Sequence, residues 1–545
     1  MKKNKLSILG CITRIRGCQS DAPCAKVKGR RNPVPDKVHL HQDEEKPFLS
    51  ALQANAQAVK SVSQAVAPTL GPKGLDTMLV NSKNEVVVTN DGVTILDRMA
   101  INHPAAKMIV NVAKAQQAEV GDGTTTATLL ASALVDEGLK QVLRGVPVTK
   151  VITGIQRGTR FALIKMQERA RMIYEMDDEW LQRIAFTASR ENEDITLAVM
   201  EAAHLMGREK LLEKGFKLSS CVVAHPRIES KVFAGIVVSK PRMNSQMPRT
   251  RQNARVLVLA DALEPEAFSD DVRTDEAFSR KERLREEFYV MLEHLIHLNV
   301  GLIVTEGAVD PHAEEVLADA GVIVAAEVAK EELNKVSEYT GARQIKRSGL
   351  KKSPEEIEAL LGLCAEVVDD EALSRIRISG GQGIPFATIL VGAATDEVVE
   401  ERERICKDAA SAVQAAIHGG FVPGGGAVEL AIARDVENFR NTVQGMERFG
   451  VSAVSEALQR PMSQVVANAG FNPLEKIEAV KALQLKRQSD SLGIDCDRGI
   501  VADMIEMGVV DPLPVKAHAL KTAGEVAVAI LRIHTIVQMK EDPVF

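Results

Sequence analysis

Apolar residues recur at steps of three and four through Pro47 to Ala67, "PFLSALQANAQAVKSVSQAVA", which predicts an amphipathic helix, and the prolines and glycines of "PTLGPKGLD" end it. The valines of "NEVVVTNDGVTIL" change the period: a strand, an Asn-Asp-Gly turn and a second short strand are expected, together a β-hairpin. Helical spacing returns over Ala105–Glu119 and Thr124–Leu143. The middle third reads differently. "RVLVLADAL", "NVGLIVTEGAV" and "AGVIVAAEV" are buried-type strands followed by helical stretches, so an α/β module is expected from about Cys221 to Arg375. A charged stretch, Glu264 to Leu295, interrupts it, beginning as an acidic loop and becoming a helix. From Val398 onward the chain is Ala-rich and helical again, like its first third, which suggests a discontinuous domain with an inserted middle.

Composition narrows the function classes. A chain of 545 residues exceeds what one hydrophobic core organises, so roughly two to four domains are expected. Aromatics make up 3%, with one Trp and three Tyr, leaving few stacking platforms for bases, and the net charge of -6 argues against a dedicated nucleic-acid binder. Seven cysteines with no CxxC pair suit a reducing compartment, and a cytoplasmic location follows as the expectation. The apolar run "GEVAVAILRIHTIVQM" contains Glu525 and Arg532 and is too short to span a bilayer. The apolar segment Leu6–Thr13 is likewise short for a signal peptide, with Arg14 and Arg16 directly behind it. The first 46 residues read as a flexible tail, in which Cys11, Cys18, Cys24, His39 and His41 fit no zinc spacing and are read as free thiols and solvated histidines.

The stretch "EVGDGTTTATLLASALVDEGL" opens a strong helix with poor helix formers, Gly121, Gly123, Thr124, Thr125 and Thr126. A Gly-Asp-Gly turn feeding a helix places free backbone N–H groups and Thr hydroxyls around one point, which attracts anions. A phosphate there would face Asp122, and Mg²⁺ between the two resolves the repulsion; an ordinary N-cap is the alternative. Three further corners invite the same question. "PTLGPKGLD" can bring Thr69, Leu70, Gly71 and Pro72 close to a ligand, or be a plain turn. Asp91 and Gly92 sit in "NDG", which hairpin-turn chemistry also explains. Gly424 to Gly426 of "FVPGGGAVELAIA" open another helix with an anion-friendly terminus. No Walker loop is present, so this is not a P-loop ATPase.

Taken in order, "TLGPKGLD", "VVVTNDGVTIL", "HPAAKMIV", "EVGDGTTTATLLASALV", "KDAASAVQAAIHGGFVPGGGAVEL" and "GVVDPLPVKAHALKTAGEVAVAILRI" resemble the chaperonins of the group II type, thermosomes and their cytosolic counterparts, some of whose relatives occur in bacteria. The resemblance runs from about Pro47 to Met539. It implies a multidomain α and α/β chaperonin fold: a mainly helical equatorial ATPase domain (residues 47–157 and 408–545), a small intermediate domain (158–221 and 377–407), and an α/β apical client-binding domain (222–376) with a helical protrusion at about 264–287. Phe268 and Phe278 are candidate tip residues of that protrusion.

The resemblance also implies the site and the partners. Thr69, Leu70, Gly71 and Pro72 would lie along the phosphates of ATP, and Gly121 to Thr126 would wrap them with Asp122 on Mg²⁺. Asp91, with Gly92, would sit beside the γ-phosphate, Asp408 would orient the attacking water, Gly425 would approach the nucleobase and Asp511 the ribose. Asp408 is expected to begin a helical stretch that runs to His418 and ends at Gly419 and Gly420. Relatives usually carry a γ-phosphate-sensing lysine near "FTASREN", where this chain has Arg190 and Asn192. The implied function is an ATP hydrolase that encloses unfolded client proteins in two stacked rings of about eight subunits each, with a built-in lid and no separate lid protein, nucleic acid or membrane partner. A Mg²⁺-nucleotide phosphotransferase acting on a small molecule, or a non-hydrolysing scaffold, are the alternatives.

Overall fold

The structure is a computed structural model that describes residues 45–84, 86–266 and 275–537; the expected tail with its cysteines and histidines, the protrusion residue Phe268 and the side chain of Phe278 lie outside the described residues. Helix α1, Glu45–Val66, buries Leu52, Val59, Val62 and Val66 along one face, as its spacing requires. Strands β1 (Thr77–Val80) and β2 (Val86–Thr89) pair antiparallel, Thr77 opposite Thr89 and Val80 opposite Val86. The hairpin therefore turns at Asn81–Asn84 and not at Asn-Asp-Gly, which corrects the sequence expectation. The residues after Asp91 form helix α2, Gly92–Arg98, because the Asp91 carboxylate accepts hydrogen bonds from the N–H groups of Val93 and Thr94 and caps it.

Helices α3 (Pro104–Val120), α4 (Thr124–Leu143) and α5 (Val148–Glu168) follow. α4 is buried on nearly every side, which its continuous apolar composition permits. Helices α6 (Glu179–Ala188) and α7 (Glu193–Leu212) lead into the β-rich middle: β3 (Val222–Pro226), β4 (Lys231–Phe233), β5 (Gly235–Val238) and β6 (Thr250–Leu259), then α8 (Asp275–His297), β7 (Val300–Thr305), α9 (Pro311–Asp319), β8 (Ile323–Ala325), α10 (Lys330–Thr340), α11 (Pro354–Glu358), β9 (Gly362–Asp370), β10 (Arg375–Ser379) and β11 (Thr388–Ala393). The larger sheet has the order β5-β10-β9-β6-β7-β8, parallel across β6, β7 and β8 and antiparallel elsewhere, and β3-β11-β4 forms a second sheet. Alternation along β6 explains its unbroken apolar run: Val256 and Val258 enter the core shared with α6, α7 and α10, while Leu257 and Leu259 enter a core with Phe288, Leu292 and Leu295 of α8.

The chain then returns through α12 (Asp396–Gly419), β12 (Phe421–Pro423), α13 (Ala427–Thr442), α14 (Glu447–Ala457), α15 (Arg460–Asn468), α16 (Pro473–Arg487), β13 (Leu492–Asp495), β14 (Ile500–Asp503), β15 (Val510–Pro512) and α17 (Leu513–Leu531). α12 starts twelve residues before Asp408, so Asp408 lies mid-helix and does not begin it, a second correction. One apolar core joins residues 52–166 with residues 422–531, tying the two ends of the described chain together. Within it α5 and α14 cross at Gly154 and Gly450, where an added Cβ on either would stand 2.1 Å from the partner helix's backbone oxygen. No helix among the described residues is long and apolar enough to cross a membrane.

Candidate functional site

Between the helical part and α6–α7 lies a cleft of about 1330 Å³. Thr69, Leu70, Gly71, Pro72, Asp91, Gly92, Asp122, Gly123, Thr124, Thr125, Thr126, Asp408, Gly425 and Asp511 all line it. These residues come from loops, helices and a strand up to about 440 residues apart in sequence. Gly121 is the exception among the expected residues. It ends α3 at φ +72°, its N–H donating to the carbonyls of Gln116 and Gln117, and a Cβ on it would stand 2.2 Å from Ser411 Oγ of α12. Its place is against α12, three residues from Asp408, and not on the cleft wall.

The poor helix formers at the start of α4 now have a cause. Gly123, at φ +78°, occupies the N-cap position without a side-chain cap, so the N–H groups of the first turn point toward the cleft with no partner from that position. A Cβ on Gly123 would stand 2.7 Å from Val515 Cγ1, so only glycine lets this turn sit against α17. The buried Gln116 fixes the same turn: its Nε2 donates to the carbonyls of Asp122 and Val515, and its Oε1 lies 2.7 Å from His518 Nδ1. Gly92 brings α2 against α4, since a Cβ there would lie 2.7 Å from Thr125 Oγ1. Asp91 is thereby carried to the same corner, its Oδ2 accepting from Thr94 N at 2.8 Å and Thr94 Oγ1 at 2.7 Å.

The other walls are equally determined. The Thr69–Pro72 loop is held by Asn468 of α15, whose Nδ2 donates to the carbonyls of Ala67 and Leu70 at 2.9 and 2.8 Å. β12 pairs with β15, Val422 opposite Asp511, which puts Asp511 beside the glycine turn; a Cβ on Gly424 would lie 3.1 Å from Asp511 Oδ2. Gly425 faces Met504, and Ile494, Pro461 and Val465 complete an apolar end of the cleft. Lys516 joins Asp511 at 2.9 Å to the deeply buried Glu429 at 2.7 Å. Burial works against the Lys516 charge, but Asp511 and Glu429 outweigh it and hold the ammonium protonated far above its usual range.

Three carboxylates share one end. Burial pushes the Asp408 carboxyl well above the usual carboxylate range; Arg404 pulls it back, and the charges of Asp122 and Asp91 push it further up. Burial also raises Asp122, opposed by the Gly123 N–H, with Asp511 adding repulsion. Arg404 and Lys516 already relieve part of this repulsion at Asp408 and Asp511, and a further cation beside Asp122 would relieve more. Among the described residues no group of three or more His, Cys, Asp or Glu is arranged to hold a metal by itself. The donor set therefore fits a divalent ion that shares Asp122 with the oxygens of a bound phosphate, and does not fit a metal held by protein ligands alone.

Sequence reasoning missed several residues of the site. Arg404, one helical turn before Asp408, pairs with it at 2.7 Å, and Lys516 pairs with Asp511 and Glu429; Asn90, Gln116 and Asn468 contribute through contacts hundreds of residues away. Arg190 lines the cleft at φ +57° and pairs with Glu401 at 2.8 Å; Asn192 instead turns back on its own loop, its Nδ2 donating to Ser189 O at 2.7 Å.

Comparison with known proteins agrees with this arrangement. Residues 62–541 match the model of the TCP-1/cpn60 chaperonin family. The chain belongs to that family. A thermosome subunit of Methanocaldococcus jannaschii is 32% identical to it over 89% of this chain and 92% of the relative, and one of Methanopyrus kandleri is 33% identical over 90% and 92%. A crystal structure described as a group III chaperonin in the open state is 43% identical, covers 91% of this chain and 100% of its own, and superposes with a TM-score of 0.81. The chain is thus an ATP-dependent chaperonin with the chaperonin fold, and the small-molecule phosphotransferase is not supported by these relatives.

Proposed function

We propose that this chaperonin binds MgATP in the 1330 Å³ cleft, hydrolyses it with Asp408 and Asp91, and uses the cycle to close a ring-shaped cage around unfolded client proteins. The observation that carries the reading is the convergence of Asp91, Asp122 and Asp408 with the open N-terminus of α4 on one cavity. Mg²⁺ would enter with the nucleotide and neutralise charge between the phosphates and Asp122. The N–H groups of Thr124 to Thr126 and the backbone of Thr69 to Pro72 would then orient the triphosphate, Asp511 would face the ribose, and the apolar end around Gly425 and Met504 would receive the base. Asp91 and Asp408 would hold the attacking water in line, since phosphoryl transfer needs positioning and charge neutralisation more than covalent help.

The coupling to motion would run through α12. Arg402 of α12 donates to the carbonyl of Gly392 in β11 and pairs with Asp194 of α7, while Arg404 and Asp408 of the same helix line the cleft, so a tilt driven by the γ-phosphate would move both. The division into equatorial, intermediate and apical domains is part of the same proposal; the core of residues 52–166 with 422–531 supports the equatorial unit, while a second core runs from α6, α7 and α12 into the larger sheet. Ring assembly is supported by the β1–β2 ribbon, on which Met78, Val80, Val86 and Val88 leave 64%, 58%, 53% and 52% of their surfaces exposed on one face. Two stacked eight-membered rings of one chain, a lid supplied by the segment around α8 without a separate lid protein, and a cytoplasmic site of action complete the reading. Phosphate release measured with Mg²⁺ and with excess chelator tests it. Hydrolysis that needs Mg²⁺, in a particle of about one megadalton, is the expected result; a 59.1 kDa monomer without hydrolysis would refute it.

A further inference from the structure

Arg404 is the most fully engaged cation in the cleft. Its Nη1 donates to Asp408 Oδ2 at 2.7 Å, its Nη2 to Asn90 Oδ1 at 3.2 Å and to Glu401 Oε1 at 2.7 Å, and its Nε to Glu401 Oε2 at 3.1 Å. Four of the five N–H donors that a guanidinium carries are therefore taken by four oxygens of three residues, leaving it no fork with which to grip a phosphate. Both members of the Arg404–Asp408 pair are largely withdrawn from solvent, with 17% and 16% of their side chains exposed. The Asp408 carboxylate lies mid-helix and has this one side-chain partner at hydrogen-bond distance among the described residues.

The arginine is itself held. Glu401, one turn earlier on α12, grips it with both oxygens and also accepts from Arg190 Nη1 at 2.8 Å. Arg190 and Glu191 stand at φ +57° and +64°, left-handed conformations that ordinary side chains adopt only where the surroundings enforce them. Ser189 supplies that enforcement, its Oγ donating to Phe186 O and meeting Thr196 Oγ1 at 2.8 Å. A chain of contacts thus runs from the α6–α7 loop through Glu401 and Arg404 to Asp408, with Asn90 tying in the residue next to Asp91.

From this geometry we propose that Arg404 is a positioning residue for hydrolysis: it fixes the rotamer of Asp408 and aligns it with Asp91 through Asn90, without itself contacting the nucleotide. The assignment rests on the reading of Asp408 given above. Among the charges around Asp408, Arg404 does most to keep the carboxylate ionised against burial and against Asp122 and Asp91, as a positioning role requires.

The test is steady-state phosphate release against ATP concentration, with ATP binding measured separately, on the full-length assembled protein and on Arg404→Gln, Arg404→Lys, Asp408→Asn and the double variant Arg404→Gln/Asp408→Asn. Arg404→Gln should lower kcat about 100-fold with KM within about threefold, the range for loss of a positioned acid–base group. Arg404→Lys, which keeps the charge but not the fork, should recover to within about tenfold of wild type. The double variant should be no slower than Asp408→Asn alone, because both changes act through one carboxylate. Multiplying losses, a raised KM at unchanged kcat, or Arg404→Gln within threefold of wild type would each overturn the assignment. Should Arg404→Gln fail to assemble, Glu401→Gln probes the same chain of contacts: the fork is loosened while the Asp408 pair survives, and kcat should fall several-fold at constant KM, constancy of both overturning the proposal. An inactive Asp408→Asn beside an active Arg404→Gln would sink only the role of Arg404, whereas an active Asp408→Asn would sink the reading of the site.

Discussion

Replacing Asp408 by Asn separates chemistry from architecture at this site. The amide oxygen can still accept from Arg404 Nη1, which lies 2.7 Å from the carboxylate, and Arg404 keeps Glu401 and Asn90 as partners, so no buried cation is abandoned. What is lost is the negative charge. At an effective dielectric near 20 the Arg404 attraction amounts to about 4 kcal/mol. Burial and the charges of Asp122 and Asp91 outweigh it, since the Asp408 carboxyl is raised well above its ordinary value. A carboxyl whose folded pKa exceeds its unfolded one weakens the fold in full above the folded pKa, progressively less as pH falls through it, and not at all below the unfolded pKa. Asp408→Asn should therefore melt at or slightly above the wild-type temperature at neutral pH without nucleotide, and the gap should close toward acid.

The same substitution should lower single-turnover phosphate release by about 10²- to 10⁴-fold, the usual contribution of a positioned acid–base group. That is about 3–5 kcal/mol on the barrier. ATP affinity, by titration calorimetry, should be kept or tightened, because a charge facing the γ-phosphate has been removed. Hydrolysis within threefold of wild type, or a variant that melts well below it, would refute the reasoning.

Gly92→Ala places a Cβ 2.7 Å from Thr125 Oγ1 and 3.1 Å from Thr124 Oγ1, so the α2–α4 corner must open; ATP affinity should drop about tenfold, read by calorimetry, with the melting temperature little changed. Lys516→Met leaves the deeply buried Glu429 without its cation at 2.7 Å and should destabilise the fold by about 3–5 kcal/mol in denaturant titrations. Val88→Asp, on the exposed face of the β1–β2 ribbon, should leave a folded chain that sediments near 59.1 kDa instead of as a ring. Gly154→Val drives a side chain into α14, where the backbone oxygen of Glu447 stands 2.1 Å from an added Cβ, and should abolish soluble expression or lower the melting temperature by several degrees.

Long elements with one clear period were legible in the sequence. α1, α3 and α4 lie within a few residues of expectation, and the buried-type strand patterns of the middle third became β6, β7 and β8. The errors have local causes. "VTIL" is β-branched and reads as a strand, yet the Asp91 carboxylate caps a helix there, and the cap outweighs the propensity. Asp408 is expected to begin a helical stretch, but the charged run ahead of it is already helix, with Ile405 and Cys406 on the buried face. Arg404 hid in the same run: "ERERICK" looks like a solvated face until the fold brings Asn90, 314 residues away, to its Nη2. Gln116 and Asn468 share that reason, since each acts through long-range contacts that one sequence does not display. The glycine corners were legible because φ beyond +60° and sub-van-der-Waals approaches leave little choice of residue; at Gly121 that approach is to Ser411 of α12 and not to the cleft.

The central claim is that loops from both ends of the chain close on one magnesium-bound triphosphate. A structure of the assembled protein with Mg²⁺ and a non-hydrolysable ATP analogue tests it most directly. The account predicts phosphates against the α4 N-terminus, the metal on Asp122, and the terminal phosphate facing Asp91 and Asp408. An analogue bound elsewhere, or an empty cleft at millimolar nucleotide, would contradict it.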